Sequence, residues 1–365
     1  MRVVFRADAS LEIGNGHVIR CLTLAEILKK QGASCSFICQ NYKGHLNFEI
    51  RKRGFEVHEI TSVNENPKIS NALQNNTKFD ITENSSTKEI AHIKKILRGE
   101  PIDWIIVDHY SLDHRWERKI RSITKKIMVI DDMANRRHDC DILIDQNLGR
   151  KASDYDGLVT DNCMTLIGPE YALLRPEFAL LRENSLVRRR ESMLRKIMIS
   201  MGGVDAQNGT EKVLRAIQRS KLSNKCEITI VMGPNAPWLE RVKKVCAEMA
   251  QIIDVRRGVE NMAKLMVDSD LAIGTSGITS WERCCLGLPS LIEIHADNQK
   301  LIAESLHAVG AAKLIDTRHG FDALNYEINQ FLESPIKLEK MSKRAYSITD
   351  GNGANRVLEK MSNHQ

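Results

Sequence analysis

The sequence lacks the patterns that mark several large protein classes. It has no apolar run long enough to span a bilayer, and its N-terminus lacks the apolar core and small-residue cleavage site of a signal peptide. Aromatic residues make up only 5% of the chain and do not interleave with basic residues, which disfavours nucleic-acid binding. These absences predict a cytoplasmic protein that binds neither a membrane nor a nucleic acid.

Cysteine patterns that would indicate a disulfide framework or a zinc site are also missing. The nine cysteines are scattered, odd in number and form no C-x-x-C pair, so we expect reduced core thiols. The paired acids Asp131-Asp132 follow a predicted strand, but no partner cluster at ligand spacing accompanies them. We therefore expect them to cap a helix or bind loop backbone, and we predict neither a metal nor another cofactor.

The composition itself is that of a globular protein with an ample core. The chain has 365 residues, of which 42% are apolar, and a net charge of +6 that suits an anionic small substrate. Apolar β-rich runs alternate with helical patterns, which predicts an α/β fold with parallel sheets. A charged stretch after two prolines places the domain boundary near Ser185, giving domains 1–185 and 186–344 with a last helix at about 345–365. Residues 62–87 are polar, and we expect a long loop or a loosely ordered insertion there.

A glycine loop lies near the N-terminus, between a predicted strand and a predicted helix. Gly14-Asn15-Gly16-His17 follows the apolar run Val3-Val4-Phe5, and the glycines permit positive φ and close approach of a ligand. His17 stands where the helix begins and is a residue type that moves protons near neutral pH. Ile19 replaces the third glycine of G-x-G-x-x-G, which disfavours a dinucleotide site. On this stretch alone, the alternative is a structural turn whose histidine caps or packs.

A second candidate lies at the end of a predicted buried strand. Asp108-His109-Tyr110 follows Trp104-Ile105-Ile106-Val107, and in open α/β sheets ligands bind beyond the carboxyl ends of the strands. The alternative is that Asp108 caps the next helix and His109 only packs.

The C-terminal half offers two strand-to-helix loops of similar chemistry. The two glycines of the first loop suit close approach of a phosphate or a sugar, or serve only the geometry of the turn. The second loop has two glycines and several hydroxyls, which suit a diphosphate without a metal. The residues concerned are Gly202 and Gly203 in the first loop and Ser276, Gly277, Ile278 and Thr279 in the second. Glu282 falls in the first turns of the following helix, where its carboxylate could accept hydrogen bonds from a ribose diol or could simply interact with the helix dipole.

Taken together, these stretches resemble the UDP-sugar hydrolases of pseudaminic acid biosynthesis. The resemblance spans nearly the whole chain, with residues 62–87 as an insertion outside the family core. It rests on Gly14-Asn15-Gly16-His17 with Arg20-Cys21-Leu22, Asp108-His109-Tyr110, Ile130-Asp131-Asp132, Tyr171-Ala172-Leu173-Leu174-Arg175, Ser200-Met201-Gly202-Gly203 and Trp281-Glu282-Arg283-Cys284-Cys285-Leu286-Gly287-Leu288-Pro289.

This resemblance implies a GT-B-like architecture of two Rossmann-like domains facing across a cleft. It also implies kinship with the glycosyltransferase that adds N-acetylglucosamine to lipid I. The C-terminal domain would hold UDP, and the last helix, with residues 355–360, would pack back on the first domain. The reaction implied is metal-independent attack of water on the anomeric carbon of a UDP-linked 2,4-diacetamido-2,4,6-trideoxy hexose, which releases UDP with inversion.

The resemblance also assigns roles to residues. His17 would be the general base and Tyr110 would position the water or the sugar. Asn298, with Gln299 beside it, would contact the sugar. The remaining substrate-binding candidates are Gly14, Gly16, Asp108, Gly202, Gly203, Ser276, Gly277, Ile278, Thr279 and Glu282.

Two other functions stay open. One is a glycosyltransferase of the same fold, in which His17 deprotonates a sugar or lipid hydroxyl. The other is a non-catalytic protein that binds a nucleotide sugar. The sequence leaves the stereochemistry of the sugar open, and we expect a monomer because no coiled-coil pattern is present.

Overall fold

The structure, a computed structural model, describes residues 1–60, 83–191, 193–234, 236–315 and 322–364. The chain divides into two compact units, one formed by Met1–Leu173 with the chain from Gly353 onward and the other by Leu174–Asn352. The boundary therefore follows Leu173, whereas the sequence analysis placed it near Ser185. Among the described residues, no helix has both the length and the apolar character needed to cross a membrane.

The first unit is built on a parallel sheet of seven described strands in the order β3-β2-β1-β4-β5-β6-β7. The strands are β1 Arg2–Ala7, β2 Ser34–Gln40, β3 Glu56–Ile60, β4 Ile102–Asp108, β5 Thr124–Ile130, β6 Ile142–Asp145 and β7 Met164–Ile167. The helices are α1 Gly16–Lys30, α2 Asn47–Lys52, α3 Glu83–Ile96, α4 His114–Ile120 and the C-terminal α13 Gly353–Asn363.

Both faces of this sheet are buried, as a parallel sheet with near-continuous apolar strands requires. Successive side chains of β4 point to opposite faces, so Trp104 packs in the core beneath α1 while Ile105 packs in the core beneath α3 and α4. Helix α13 adds Ala354 and Val357 to the α1 core. A Cβ on Gly353 would lie 2.4 Å from the carbonyl oxygen of Ala172, so glycine is needed where α13 begins.

The second unit holds a parallel sheet of six described strands in the order β10-β9-β8-β11-β12-β13. The strands are β8 Lys196–Ser200, β9 Glu227–Met232, β10 Ile252–Arg257, β11 Leu271–Thr275, β12 Ser290–Glu293 and β13 Lys313–Leu314. The helices are α5 Pro176–Arg188, α6 Gly209–Gln218, α7 Leu239–Ala247, α8 Met262–Asp268, α9 Thr279–Cys285, α10 Lys300–Ala308, α11 Asp322–Glu333 and α12 Pro335–Tyr346.

The predicted α/β fold with parallel sheets is confirmed, and the polar stretch at 62–87 is corrected in part. Residues 62–82 lie outside the described residues. Residues 83–87 are the first five residues of helix α3 and do not form a loop. The sequence analysis did not separate these residues from the stretch before them, because they are polar and lack the apolar periodicity that marks a packed helix.

Candidate functional site

In the first unit, two neighbouring parallel strands bring their carboxyl ends to one edge of the sheet. Ala7 of β1 lies opposite Asp108 of β4. The glycine loop that follows β1 and the Asp108-His109-Tyr110 segment that ends β4 therefore meet, as expected for parallel strands.

The glycine loop has a defined conformation that delivers His17 to this edge. Ser10 Oγ accepts hydrogen bonds from the backbone N–H groups of Glu12 at 3.1 Å and Ile13 at 2.9 Å. Gly14, at φ +82°, donates its N–H to the Ser10 carbonyl at 2.9 Å. Helix α1 then begins at Gly16, and a Cβ added to Gly16 would meet no atom within 4 Å. The loop thus leaves open space beside the histidine.

His17 and Asp108 form a buried pair. The Nδ1 atom of His17 lies 2.5 Å from Oδ1 of Asp108, and the two side chains are 7% and 0% exposed. Because a carboxylate only accepts, this contact assigns the ring proton to Nδ1, which donates to Asp108. Nε2 is then the nitrogen with a lone pair for a proton from another molecule.

Arg20, one helical turn after His17, neutralises the same carboxylate. Its Nε donates to Asp108 Oδ2 at 2.5 Å and its Nη2 donates to Oδ1 at 2.6 Å, a two-pronged geometry. Burial alone would raise the pKa of the Asp108 carboxyl, but the charge of Arg20 and the hydrogen bonds from Arg20 and His17 outweigh it and hold that pKa well below its usual range. Asp108 is therefore ionised and does not cap the next helix; Asp113 caps α4 instead.

Tyr110 closes this cluster on one side. Its ring packs edge-on against the His17 ring, with centroids 4.5 Å apart and an interplanar angle of 82°. Its hydroxyl donates to Asp132 Oδ2 at 3.2 Å, and Arg20 Nη1 reaches the same oxygen at 3.4 Å. Asp132 thus binds two side chains rather than loop backbone, whereas its neighbour Asp131 accepts from the N–H of Ala134 at 2.8 Å, as expected.

His109 does not join the cluster, because it follows Asp108 and points to the other face of the sheet. Its Nε2 lies 3.0 Å from Oδ2 of the buried Asp8, and Asp8 pairs through Oδ1 with Arg6 at 2.7 Å. Of the three residues Asp108-His109-Tyr110, the structure thus brings Asp108 and Tyr110 to His17 and leaves His109 in a separate ion-pair network.

In the second unit, the two glycine-containing loops follow adjacent strands, because β8 pairs with β11. Gly202 has φ +94°, and a Cβ there would lie 3.8 Å from Thr275 Oγ1. A Cβ on Gly277 would meet nothing within 4 Å. The structure therefore places both predicted loops at one edge of the sheet with room beside them. The remaining members of the two loops are Gly203, Ser276, Ile278 and Thr279.

The loop after β12 joins the same edge through Gln299. Ser276 Oγ donates to the Gln299 carbonyl at 3.0 Å, and Gln299 Oε1 accepts from the backbone N–H of His295 at 2.9 Å. Asn298 precedes Gln299 in a short 3₁₀ turn over Asp297–Gln299. Gln299 thus ties two loops together.

Glu282 lies in the first turn of α9 with its side chain only 9% exposed. Burial raises the pKa of its carboxyl to about 7, although Arg175, whose Nη2 lies 3.7 Å from Oε1, and Arg283 act in the opposite direction. Burial likewise lowers the pKa of Arg283 to about 10. Glu282 is thus held between its two protonation states near neutral pH.

Several partners of the predicted residues were missed in the sequence analysis. Arg20 was quoted without a role, Asp132 was expected to cap a helix or bind loop backbone, and Arg175 and Arg283 were not connected to Glu282. Arg283 donates from Nη2 to the Thr275 carbonyl at 2.8 Å and so braces the loop. The partners in the pairs Arg20–Asp108, Asp132–Tyr110 and Arg175–Glu282 are distant in sequence, so local patterns do not connect them. One local pattern could have been used: Arg20 lies one turn after His17, on the same face of the helix.

The first N–H groups of α6, the helix that follows the Gly202-Gly203 loop, are already hydrogen-bonded. Asp205 Oδ1 accepts from Gly209 N–H at 2.7 Å, and Oδ2 accepts from Thr210 N–H at 3.1 Å. These donors are therefore already bound to a side chain of the loop. Across the described parts of both units, no group of three or more His, Cys, Asp or Glu side chains is arranged to hold a metal ion.

Comparison with known proteins shows which family the chain belongs to. Residues 197–359 match the glycosyltransferase family 28 C-terminal domain. The chain is 30% identical over 282 residues, or 77% of its length and 87% of the relative's, to a UDP-2,4-diacetamido-2,4,6-trideoxy-β-L-altropyranose hydrolase of Campylobacter jejuni. It is 24% identical to the spore coat polysaccharide biosynthesis protein SpsG of Bacillus subtilis, with 98% of this chain and 96% of that one covered.

Among solved structures, MurG of Acinetobacter baumannii has a similar fold, with a TM-score of 0.69 at 15% identity and 99% of each chain covered. Two parallel-sheet, Rossmann-like domains with this structural neighbour define a protein of the GT-B fold class. Within that class, the chain belongs to the family of the UDP-2,4-diacetamido-2,4,6-trideoxy-β-L-altropyranose hydrolase, as the 30% identity over most of both chains shows.

Proposed function

We propose that this protein hydrolyses a UDP-linked 2,4-diacetamido-2,4,6-trideoxy hexose, releasing UDP and the free sugar for nonulosonic acid synthesis with inversion at the anomeric carbon. The observation that carries the proposal is the buried His17–Asp108 pair, at 2.5 Å, beside an open glycine loop. The Campylobacter jejuni relative named for this activity supports the choice of substrate.

In the proposed reaction, His17 is the general base. Asp108 holds the Nδ1 proton, so Nε2 accepts a proton from water as the water oxygen bonds to the anomeric carbon. The bond from that carbon to the phosphate oxygen breaks, and its electron pair leaves with UDP. No metal takes part in this scheme. Tyr110, packed against the His17 ring, positions the water or the sugar.

The arginine at this cluster has a physical role in the same proposal. A carboxylate buried at this position without a cation would be an uncompensated charge. Arg20 binds both oxygens of Asp108 and offsets that charge while leaving the carboxylate able to orient the ring.

The second unit would bind the nucleotide. We propose that the two loops with Gly202, Gly203 and Ser276 to Thr279 surround the diphosphate, and that Glu282 accepts hydrogen bonds from the ribose. Asn298 and Gln299 would contact the sugar. The adjacency of β8 and β11 supports this grouping, because it puts both loops at one sheet edge.

The test of the base is a His17→Asn variant. We expect a folded protein with wild-type UDP affinity by calorimetry, whose turnover falls by about 10²- to 10⁴-fold. The exposed His92 on α3 offers a matched control, since His92→Asn removes a histidine of the same unit away from the cluster. Near-normal turnover in His17→Asn would show that another group is the base.

Gly16→Ala tests whether the sugar approaches the loop. An added Cβ meets no protein atom within 4 Å, so the variant is expected to fold normally. If the substrate fills that space, the added methyl group raises KM or lowers kcat. Unchanged kinetics would place the sugar elsewhere.

A glycosyltransferase of the same fold is the second candidate, favoured by the match of residues 197–359 to the glycosyltransferase family 28 C-terminal domain. Incubation with a panel of UDP-diacetamido sugars and no acceptor separates the two. UDP release with a free sugar of inverted configuration supports hydrolysis. Dependence of UDP release on an added hydroxyl acceptor would replace the hydrolase with the transferase.

A further inference from the structure

His295 lies between the two loops proposed to surround the diphosphate. Its backbone N–H donates to Gln299 Oε1 at 2.9 Å, and the Gln299 carbonyl accepts from Ser276 Oγ at 3.0 Å, which joins it to the second loop. On the other side, a Cβ added to Gly209 would lie 2.8 Å from His295 Cε1. The ring therefore packs directly on the start of α6, just after the Gly202-Gly203 loop.

A buried carboxylate holds this imidazole in place. Glu293 Oε2 lies 3.1 Å from His295 Nε2, and the two side chains are 7% and 13% exposed. The two atoms lie within ion-pair distance, although their geometry is not that of a hydrogen bond. The other ring nitrogen, Nδ1, can donate to a ligand when it carries a proton.

The proposed diphosphate site needs such a donor. A helix N-terminus is the usual partner of a phosphate, but the first N–H groups of α6 already donate to the carboxylate of Asp205. The guanidinium of Arg283, buried behind the second loop, donates to the Thr275 carbonyl and to Ser280 Oγ. His295 is a side chain of these loops that can present both a positive charge and a hydrogen to the phosphate.

We propose that His295 donates a hydrogen bond to the diphosphate of the bound nucleotide sugar, with Glu293 as its positioning residue. This rests on the proposed function for the identity of the ligand. In the proposed reaction, the bond between the anomeric carbon and the phosphate oxygen breaks, and its electron pair stays on that oxygen. The His295 N–H stabilises that growing charge without transferring its proton.

The experiment compares ligands with and without phosphates. Calorimetry with UDP, UMP and uridine is performed on wild type, His295→Asn and Glu293→Gln. We expect His295→Asn to weaken UDP binding by about 10- to 100-fold, the loss of one charge-assisted hydrogen bond, while uridine binding changes less than about twofold. Glu293→Gln keeps the imidazole but loses the charge that orients it, so we expect a smaller loss for UDP of about three- to tenfold.

His307, exposed on α10 of the same unit, provides the matched control, and His307→Asn should leave all three affinities unchanged. Equal weakening of UDP and uridine by His295→Asn would show that the pair only holds the loops together. Unchanged UDP binding in a folded His295→Asn or His295→Gln variant would remove His295 from the phosphate site.

The test of His295 can fail or succeed independently of the test of the proposed hydrolysis. A wild-type protein that binds UDP but turns over no UDP-sugar would refute the hydrolase and still allow the comparison of UDP with uridine. If wild type preferred another base, the same comparison with ADP, GDP or dTDP against the matching nucleoside would test His295. Absence of binding to every nucleoside diphosphate would overturn the proposal.

Discussion

Replacing Asp108 with asparagine removes a charge from the centre of the His17 cluster and changes the shape of the side chain little. Asp108 is 0% exposed and accepts two hydrogen bonds from Arg20, at 2.5 and 2.6 Å, and one from His17 at 2.5 Å. In the Asp108→Asn variant, the new amide would turn its NH₂ group toward one of these donors and leave the buried guanidinium with only its longer contact to Asp132, at 3.4 Å. Breaking a buried ion pair in this way costs about 3–5 kcal/mol of the free energy of unfolding.

The magnitude is tested with a double-mutant cycle. Arg20→Met alone should cost a similar amount, because it leaves the carboxylate buried without its partner. The double variant Asp108→Asn/Arg20→Met should cost about 2 kcal/mol less than the sum of the two single variants, since it removes both charges of the Arg20–Asp108 pair together. Glu59→Gln provides the control. It breaks the exposed Arg51–Glu59 pair, whose side chains are 48% and 35% exposed, and should cost about 0–1 kcal/mol.

The assay is urea unfolding followed by far-UV circular dichroism at pH 7. The pKa of Asp108 is lowered in the folded protein, so its contribution is complete above the ordinary aspartate pKa of about 3.9 and is lost as the pH falls below it. Asp108→Asn should also reduce turnover, because the His17 ring loses the acceptor that fixes its tautomer. A cost below about 1 kcal/mol for Asp108→Asn, or strict additivity in the cycle, would refute the reasoning that the pair is buried and coupled.

Three further outcomes follow from the structure. Burial raises the pKa of Glu282 to about 7, so the folded state keeps a proton that the unfolded state releases above about pH 4.3. The stability of the wild type should therefore fall relative to that of Glu282→Gln by about 2–3 kcal/mol between pH 5 and pH 8. Urea unfolding at both pH values measures this, and a constant difference between the two proteins would contradict the raised pKa. Gly353→Ala should destabilise by about 1–3 kcal/mol in thermal or urea unfolding, since its Cβ would lie 2.4 Å from the backbone oxygen of Ala172, whereas Gly16→Ala should have little effect on stability. Gly209→Ala should displace the His295 ring and weaken UDP binding, measured by calorimetry, more than it weakens uridine binding. If the variant bound UDP and uridine as tightly as the wild type, the His295 ring would move aside without affecting binding.

Local pattern explains how much of the fold was predictable. Apolar runs such as Trp104-Ile105-Ile106-Val107 predict buried parallel strands, and the structure has β4 at Ile102–Asp108. The short strand β7, Met164–Ile167, was not predicted, because four residues carry too little periodicity to stand out from a loop. The start of α3 was missed for a related reason, since its first residues are polar.

Some residues of the candidate site could likewise be predicted from the sequence, and others could not. His17 at the start of α1 and Asp108 at the carboxyl end of β4 were predictable, because parallel strands align their ends and the glycine loop marks the turn. The two-pronged contact of Arg20 with Asp108 was not, since it depends on how α1 packs over β4. The same holds for Asp205, whose carboxylate occupies the start of α6, and for the Glu293–His295 pair beside it.

The sequence by itself therefore determined the kind of elements, their order and the loops that carry glycine and histidine, because these follow from residue spacing along one strand or helix. Only the tertiary structure decided which charges are neutralised by which partners. Ion pairs such as Arg20–Asp108 and Arg175–Glu282 form between segments distant in the chain, and their strength depends on burial. The glycine loop was evident from the sequence, whereas the histidine that it presents is oriented by a carboxylate that folding brings to it, together with the arginine that binds the same carboxylate.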